Sequence, residues 1–219
     1  MKSVLISIQP KWCELIASGK KLLEVRKTRP KIDTPFKCYI YCTKGKDLLT
    51  SVNGVVNKPN EIAIDLTTDS TIQELNGKVI GEFVCDKINC LDEGDLLFGL
   101  DEISDSQIEE YSCLSLDELF SYKGNKEFIY GWHISDLVIY DKPKELSEFF
   151  KIGHSNYCKL EWEKRERLRI RLDEYNKRTG YKARLNTDSD FKGCLKLLSP
   201  FKITRPPQSW CYVENDFKE

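Results

Sequence analysis

Lys21, Glu24 and Arg26 are the residues whose types and spacing best suit chemistry. They lie in Ser18-Gly19-Lys20-Lys21-Leu22-Leu23-Glu24-Val25-Arg26, where a helix-like pattern gives way to a strand-like one. An ammonium at a strand entrance can contact phosphate, or serve as a general base when burial lowers its pKa. A nearby carboxylate can accept from a base edge or carry a proton. A guanidinium can grip phosphate bidentately. The same residues also read as an ion pair on a solvated strand face, worth under about 1 kcal/mol.

The flanking elements must position this group. Pro10, Trp12, Leu15 and Ile16 predict a short helix over 10–18 that starts at a proline and stops at Gly19. Alternation over 21–27 predicts a strand with Glu24 and Arg26 on one face. Leu23 and Val25 take the other face, toward the core. Val4, Ile6 and Ile8 predict a first strand over 3–9, and 37–43 predicts another. Val79–Cys85 is a further strand, with Gly81 inside it marking a bulge. A short strand is expected at 61–64. Residues 101–123 read as acidic and helical, with Ser115 and Glu118 forming a capping box. Glu127–Val138 reads as one strand, and Pro143 to Leu146 as a helix entry. Leu160–Arg178 reads as a charged helix, with Leu168, Leu172 and Tyr175 on one side. Arg165, Arg167, Arg169 and Arg171 spread around it and form no single stripe, so a solvated, ion-paired face is the expected reading. Pro206-Pro207 followed by Trp210–Val213 predicts an ordered terminal segment docked on the main body.

Composition bounds the rest. The chain has 219 residues, of which 32% are charged, as expected of a soluble globular protein. No apolar run approaches the roughly 20 residues that span a bilayer. The N-terminus lacks a signal-peptide core, so a cytoplasmic location is expected. Nine cysteines, without any C-x-x-C pair, argue against a disulfide framework and against zinc. They are expected to act as small hydrophobes, with no metal and no cofactor. Charge is uneven: residues 1–44 carry a net +7, 82–148 a net −12 and 159–184 a net +5. Such asymmetry implies either a polarised surface or internal complementarity between the blocks, and it fits a local basic footprint rather than indiscriminate nucleic-acid binding.

Gly19, Lys21, Glu24 and Arg26 read as G-x-K-x-x-E-x-R, and this pattern resembles the signature of the ASCH domain family, a branch of the PUA-like fold. Further segments are similar in the same order: Ile8-Gln9-Pro10-Lys11-Trp12, Tyr39-Ile40-Tyr41-Cys42-Thr43, Val79-Ile80-Gly81-Glu82-Phe83 and Tyr130-Gly131-Trp132-His133-Ile134. The resemblance spans about residues 3–145. It implies an α+β fold in which a PUA-like mixed β-barrel carries peripheral helices, over residues 1–145. Residues 146–219 would form a partly helical C-terminal extension whose terminal strand docks on that domain. It also implies a cleft lined by the signature residues and a link to RNA.

The expected ligand is single-stranded RNA or a modified nucleotide, with no membrane partner. The expected binding residues are Gly19, Lys21, Glu24, Arg26, Trp12, Gln9, Tyr41, Thr43 and His133. Trp12, Tyr41, Trp132 and Trp210 are candidate stacking platforms, with core packing as the commoner fate of such rings. His133 is either a titrating site residue or a structural one. The alternative function is a nucleoside or RNA hydrolase with Lys21 and Glu24 as acid and base. Some family members are acetylcytidine amidohydrolases, but they carry threonine where this chain has Glu24. Glu109 and Glu110 are unaligned counterparts of a further family glutamate. Ser209 lacks the glycines of a nucleophile elbow. A non-enzymatic adaptor has no specific support.

Overall fold

The computed structural model describes residues 2–61, 71–92, 103–151, 170–171, 173–180 and 203–214. The architecture is mixed α+β. Its strands are β1 (Lys2–Ile8), β2 (Leu23–Arg26), β3 (Phe36–Cys42), β4 (Thr50–Val52), β5 (Val55–Val56) and β6 (Ile72–Glu74). They continue as β7 (Lys78–Cys85), β8 (Ile88–Asp92), β9 (Phe128–His133), β10 (Ser135–Glu145), β11 (Phe150–Lys151) and β12 (Trp210–Glu214). The helices are α1 (Pro10–Ala17), α2 (Asp105–Ser112) and α3 (Leu116–Lys123), with a 3-10 turn at Leu146–Glu148. Residues 170, 171 and 173–179 are also helical. No described helix is long and apolar enough to cross a membrane.

Among the described residues the strands form three sheets rather than the expected barrel. A six-stranded sheet has the order β10-β7-β3-β1-β12-β11, and two three-stranded sheets have the orders β2-β9-β8 and β5-β4-β6. β1 and β3 run parallel, with α1 and β2 in the connection between them. That crossover is what brings β2 off the large sheet and into its own. β12 pairs antiparallel with β1, Ile6 opposite Trp210, so the far end of the chain becomes an interior strand of the large sheet.

The main core lies on one face of the large sheet. Val4, Ile6, Ile8, Ile40, Ile80 and Phe83 fill it with the fully buried Trp132 from β9. Phe36 and Trp132 meet edge to face at 5.9 Å. Cys13, Cys38, Cys42 and Cys85 sit in this core as unpaired thiols. On the opposite face of the sheet, Leu5, Tyr39, Tyr41, Val79, Leu146 and Phe149 form a second cluster. Helices α2 and α3 cover the small β2-β9-β8 sheet through Val25, Leu91, Ile108, Leu119 and Ile129.

Local rules explain most element ends. Gly19 adopts φ +73, the left-handed turn that ends α1. Ser115 and Glu118 make the capping box at the start of α3, and Ser104 with Gln107 makes a second at α2. β3 and β7 slip register beside Gly81, where Ile40 pairs Gly81 but Tyr41 pairs Val79.

Two further expectations are corrected. The segment over 127–138 is two strands, because the chain turns at Ile134 from the small sheet to the large one. Pro143 lies within β10 rather than at a helix entry, and the following turn is a single 3-10 turn. An edge strand tolerates proline because it leaves one row of backbone donors unpaired. Residues 62–64 and most of 160–178 lie outside the described residues.

Gly81 is a close approach of two backbones. A Cβ there would press on the Val138 carbonyl and stand 3.1 Å from Ile139 Cα. Gly81→Ala is therefore expected to cost about 1–3 kcal/mol, read as a lower urea midpoint at unchanged slope. An unchanged midpoint would show that β7 and β10 separate freely.

Candidate functional site

The site starts from β2, which alternation predicts to be half exposed. All four of its residues are buried instead. Glu24 stands opposite Trp132 and Arg26 opposite Tyr130, so the charged face turns toward the main core. On the other face, Val25 turns toward α2 and α3. The strand is covered on both sides, and the solvated ion pair becomes a buried one.

The three charged side chains then satisfy one another and the backbone. Glu24 Oε1 lies 2.9 Å from Arg26 Nη2, and Glu24 Oε2 lies 3.6 Å from Lys21 Nζ. Lys21 is 2% exposed and donates to Ser112 O at 2.5 Å. Ser112 is the last residue of α2, where a cation suits the carbonyl end of the helix dipole. The neighbouring carbonyl of Tyr111 accepts from Leu22 N at 2.8 Å. Arg26 Nη2 also donates to Ser7 O of β1 at 2.6 Å, and Arg26 Nη1 reaches Ser209 Oγ at 3.4 Å. Burial pulls the Lys21 ammonium below the usual lysine range, and the Glu24 carboxylate beside it opposes that shift.

Two buried side-chain N–H groups have no acceptor among the described residues: Arg26 Nε and Trp132 Nε1. Both belong to the face of the small sheet that carries Glu24. With both cations protonated, the trio holds two positive charges against one negative. The arrangement therefore suits one further anionic or carbonyl oxygen.

Trp12 is half-buried on α1, with Lys21 Nζ 5.0 Å and Lys11 Nζ 4.5 Å from its ring centroid. It joins the lysine end of the trio. Gly19 is exposed and sets the turn before Lys21. Gln9 is exposed at the start of α1, where its carbonyl accepts from Trp12 N and Cys13 N. Thr43 follows β3 and donates its N–H to Ile8 O at 2.8 Å. Gln9 and Thr43 therefore share the end of the parallel β1–β3 pair.

Tyr41 and His133 stand apart. Tyr41 faces the second cluster, on the far side of the large sheet from Trp132, because Ile40 and Cys42 take the near side. His133 sits opposite Leu23 on the other face of the small sheet, its Nδ1 2.7 Å from Asp86 Oδ1. Trp132 is wholly buried and is no stacking platform. Glu109 accepts from Leu116 N at 2.8 Å, tying α2 to α3. Ser7, Ser112 and Ser209, which hold the trio, carry no motif. Only the ordered Pro-Pro-Gln-Ser-Trp terminus hinted at the third of them.

No family model and no curated protein matches the chain. Among solved structures it is similar to the ASCH protein of Zymomonas mobilis. A tyrosine-to-phenylalanine mutant of that protein is 18% identical, over 68% of this chain and 81% of that chain, with a TM-score of 0.44. A serine-to-alanine mutant is 15% identical, over 97% and 89%, with a TM-score of 0.45. A third structure of that protein is 16% identical, over 90% and 94%, with a TM-score of 0.40.

Two outcomes test the trio. Glu24→Gln leaves two buried cations without their counter-charge and is expected to cost about 3–5 kcal/mol in urea unfolding. A loss below about 1 kcal/mol would mean that water screens the trio. Lys21 has the opposite sign in its pH dependence from a paired surface lysine. Between its lowered folded pKa and the ordinary value near 10.4, the unfolded chain binds more protons, so its contribution to stability rises with pH. Lys21→Met is expected to remove that alkaline gain, measured as the difference in melting temperature from the parent across pH 7–10. Parallel curves for the two proteins would refute it.

Proposed function

We propose that the chain binds RNA or a modified nucleotide at the site around Lys21, Glu24 and Arg26. The observation that supports this best is the buried Arg26 guanidinium, which keeps a free Nε donor while sharing one carboxylate with Lys21. A phosphodiester oxygen carries the single negative charge that the trio lacks and accepts the N–H that Arg26 offers. Trp12, half-buried beside Lys21, supplies an aromatic face for a base. The G-x-K-x-x-E-x-R pattern and its resemblance to ASCH domains support the same ligand class. Gln9 and Thr43 stand at the end of the strand pair that leads into α1, and they are proposed as rim contacts.

The hydrolase reading is favoured by one separate observation. Lys21 is a desolvated amine with a lowered pKa, 3.6 Å from a carboxylate, as a general base with its partner would be. Lys21 would take the proton of an attacking water, and Glu24 would hold the resulting ammonium.

One experiment separates the two. Labelled single-stranded RNA and acetylated cytidine are offered to the protein, and anisotropy and product are followed together. Salt-sensitive RNA binding that weakens roughly tenfold in Trp12→Ala, without product, is the expected result. Product that disappears in Lys21→Met would move the assignment to the hydrolase. Binding of neither ligand at low salt would overturn both.

A further inference from the structure

The loop after β2 and the C-terminal strand meet beside Arg26 and form a surface that the trio does not explain. Trp210 Nε1 donates to Thr28 Oγ1 at 3.1 Å, and Lys31 N donates to Tyr212 OH at 2.5 Å. Ser7 clamps the segment before β12, with its Oγ donating to Pro207 O at 2.7 Å and its N–H to Ser209 O at 2.8 Å. Further back, Ile203 is buried and its N–H donates to Phe149 O at 2.9 Å. The stretch between these anchors is thus held at both ends, with Arg205 exposed in the middle.

The side chains left on this surface are cations and aromatic rings. Arg29 and Lys31 are exposed on the loop, with Asp33 the one carboxylate between residues 27 and 36. The Arg29 guanidinium lies 5.8 Å from the Tyr130 ring. Tyr130, Trp210 and Tyr212 are each partly exposed, and the last two rings are 5.4 Å apart. None of Arg29, Lys31 and Arg205 is in an ion pair with a described carboxylate. Exposed cations together with partly exposed rings are the kinds of group that bind a single-stranded nucleic acid. Phosphates meet the cations, and bases meet the ring faces.

We propose that this surface is a track for a single-stranded oligonucleotide, running from Arg26 over the 28–31 loop and the C-terminal strand. Arg29, Lys31 and Arg205 contact successive phosphates, while Tyr130, Trp210 and Tyr212 offer faces to bases. The proposal rests on the nucleotide reading of the trio and extends it to a polymer. An acidic peptide would satisfy the cations but leave the aromatic faces unused.

The test compares a labelled ten-nucleotide oligouridylate with the dinucleotide UpU, using the full chain. Three cations removed from a single-strand site lower the salt slope of log K by about 2, which corresponds to a loss on the order of 100-fold at 0.1 M salt. The variant R29A/K31A/R205A is expected to lose that much affinity for the decamer and to bind UpU unchanged. Equal decamer affinity and slope in the variant and the parent would refute the track. If Lys21→Met weakened both ligands in that case, the nucleotide reading would stand without it. A polyglutamate peptide that displaces the decamer as well as unlabelled RNA does would also refute the track. Failure of both UpU and the decamer to bind at 20 mM salt would overturn the nucleotide reading itself, and the track with it. Should the triple variant not fold by circular dichroism, Arg205→Glu on its exposed segment gives the same comparison, with a loss of about fivefold or more required.

Discussion

Burying two cations with one carboxylate is the constraint on which this structure depends. An isolated charge moved out of water costs several kcal/mol, and only a well-made network offsets it. Here the network is completed from three other places in the chain. Lys21 reaches the end of α2 through Ser112, Arg26 reaches β1 through Ser7 and the C-terminal segment through Ser209, and Glu24 joins the two cations. The small sheet, the large sheet, one helix and the chain terminus therefore share one electrostatic junction.

That junction accounts for the shape of its surroundings. β2 cannot leave the interior without exposing the apolar face that α2 and α3 cover, and it cannot enter without its charges. The ion network lets the charged face be buried together with the apolar one. Trp132 closes the network on the core side, with the Trp210 ring 6.0 Å away in turn. At the outer edge of this aromatic stack lie Arg29 and Lys31 of the loop after β2. A buried charged centre and an exposed basic, aromatic rim thus lie side by side, and under the proposed function they would supply a fixed phosphate contact and sequence-tolerant stacking.

Much of the fold is legible residue by residue. Gly19 ends α1 because a left-handed turn favours a residue without Cβ, Ser115 starts α3 through its hydroxyl, and Gly81 marks the slip between β3 and β7. These are short-range rules, and the information they need lies within a few residues. The misreadings share a different cause. Pro143 looks like a helix entry until β10 is known to be a sheet edge, and one strand over 127–138 becomes two because the chain changes sheets at Ile134. Tyr41 looks like a stacking residue until the side of the large sheet that carries the trio is known.

The candidate site divides in the same way. The sequence by itself determined which chemical groups are present, that Glu24 and Arg26 share one strand face, and that Lys21 follows a glycine turn, because spacing along a strand or past a helix end settles those relations. Only the tertiary structure decided that the charged face is buried, that Ser7, Ser112 and Ser209 hold it, and that β12 pairs with β1. Burial and partnership are properties of packing between segments up to about 200 residues apart, and no local pattern encodes which surface a strand will meet. The physical reason is that alternation specifies two faces but not their surroundings, and the surroundings turn a surface ion pair into a buried charged centre.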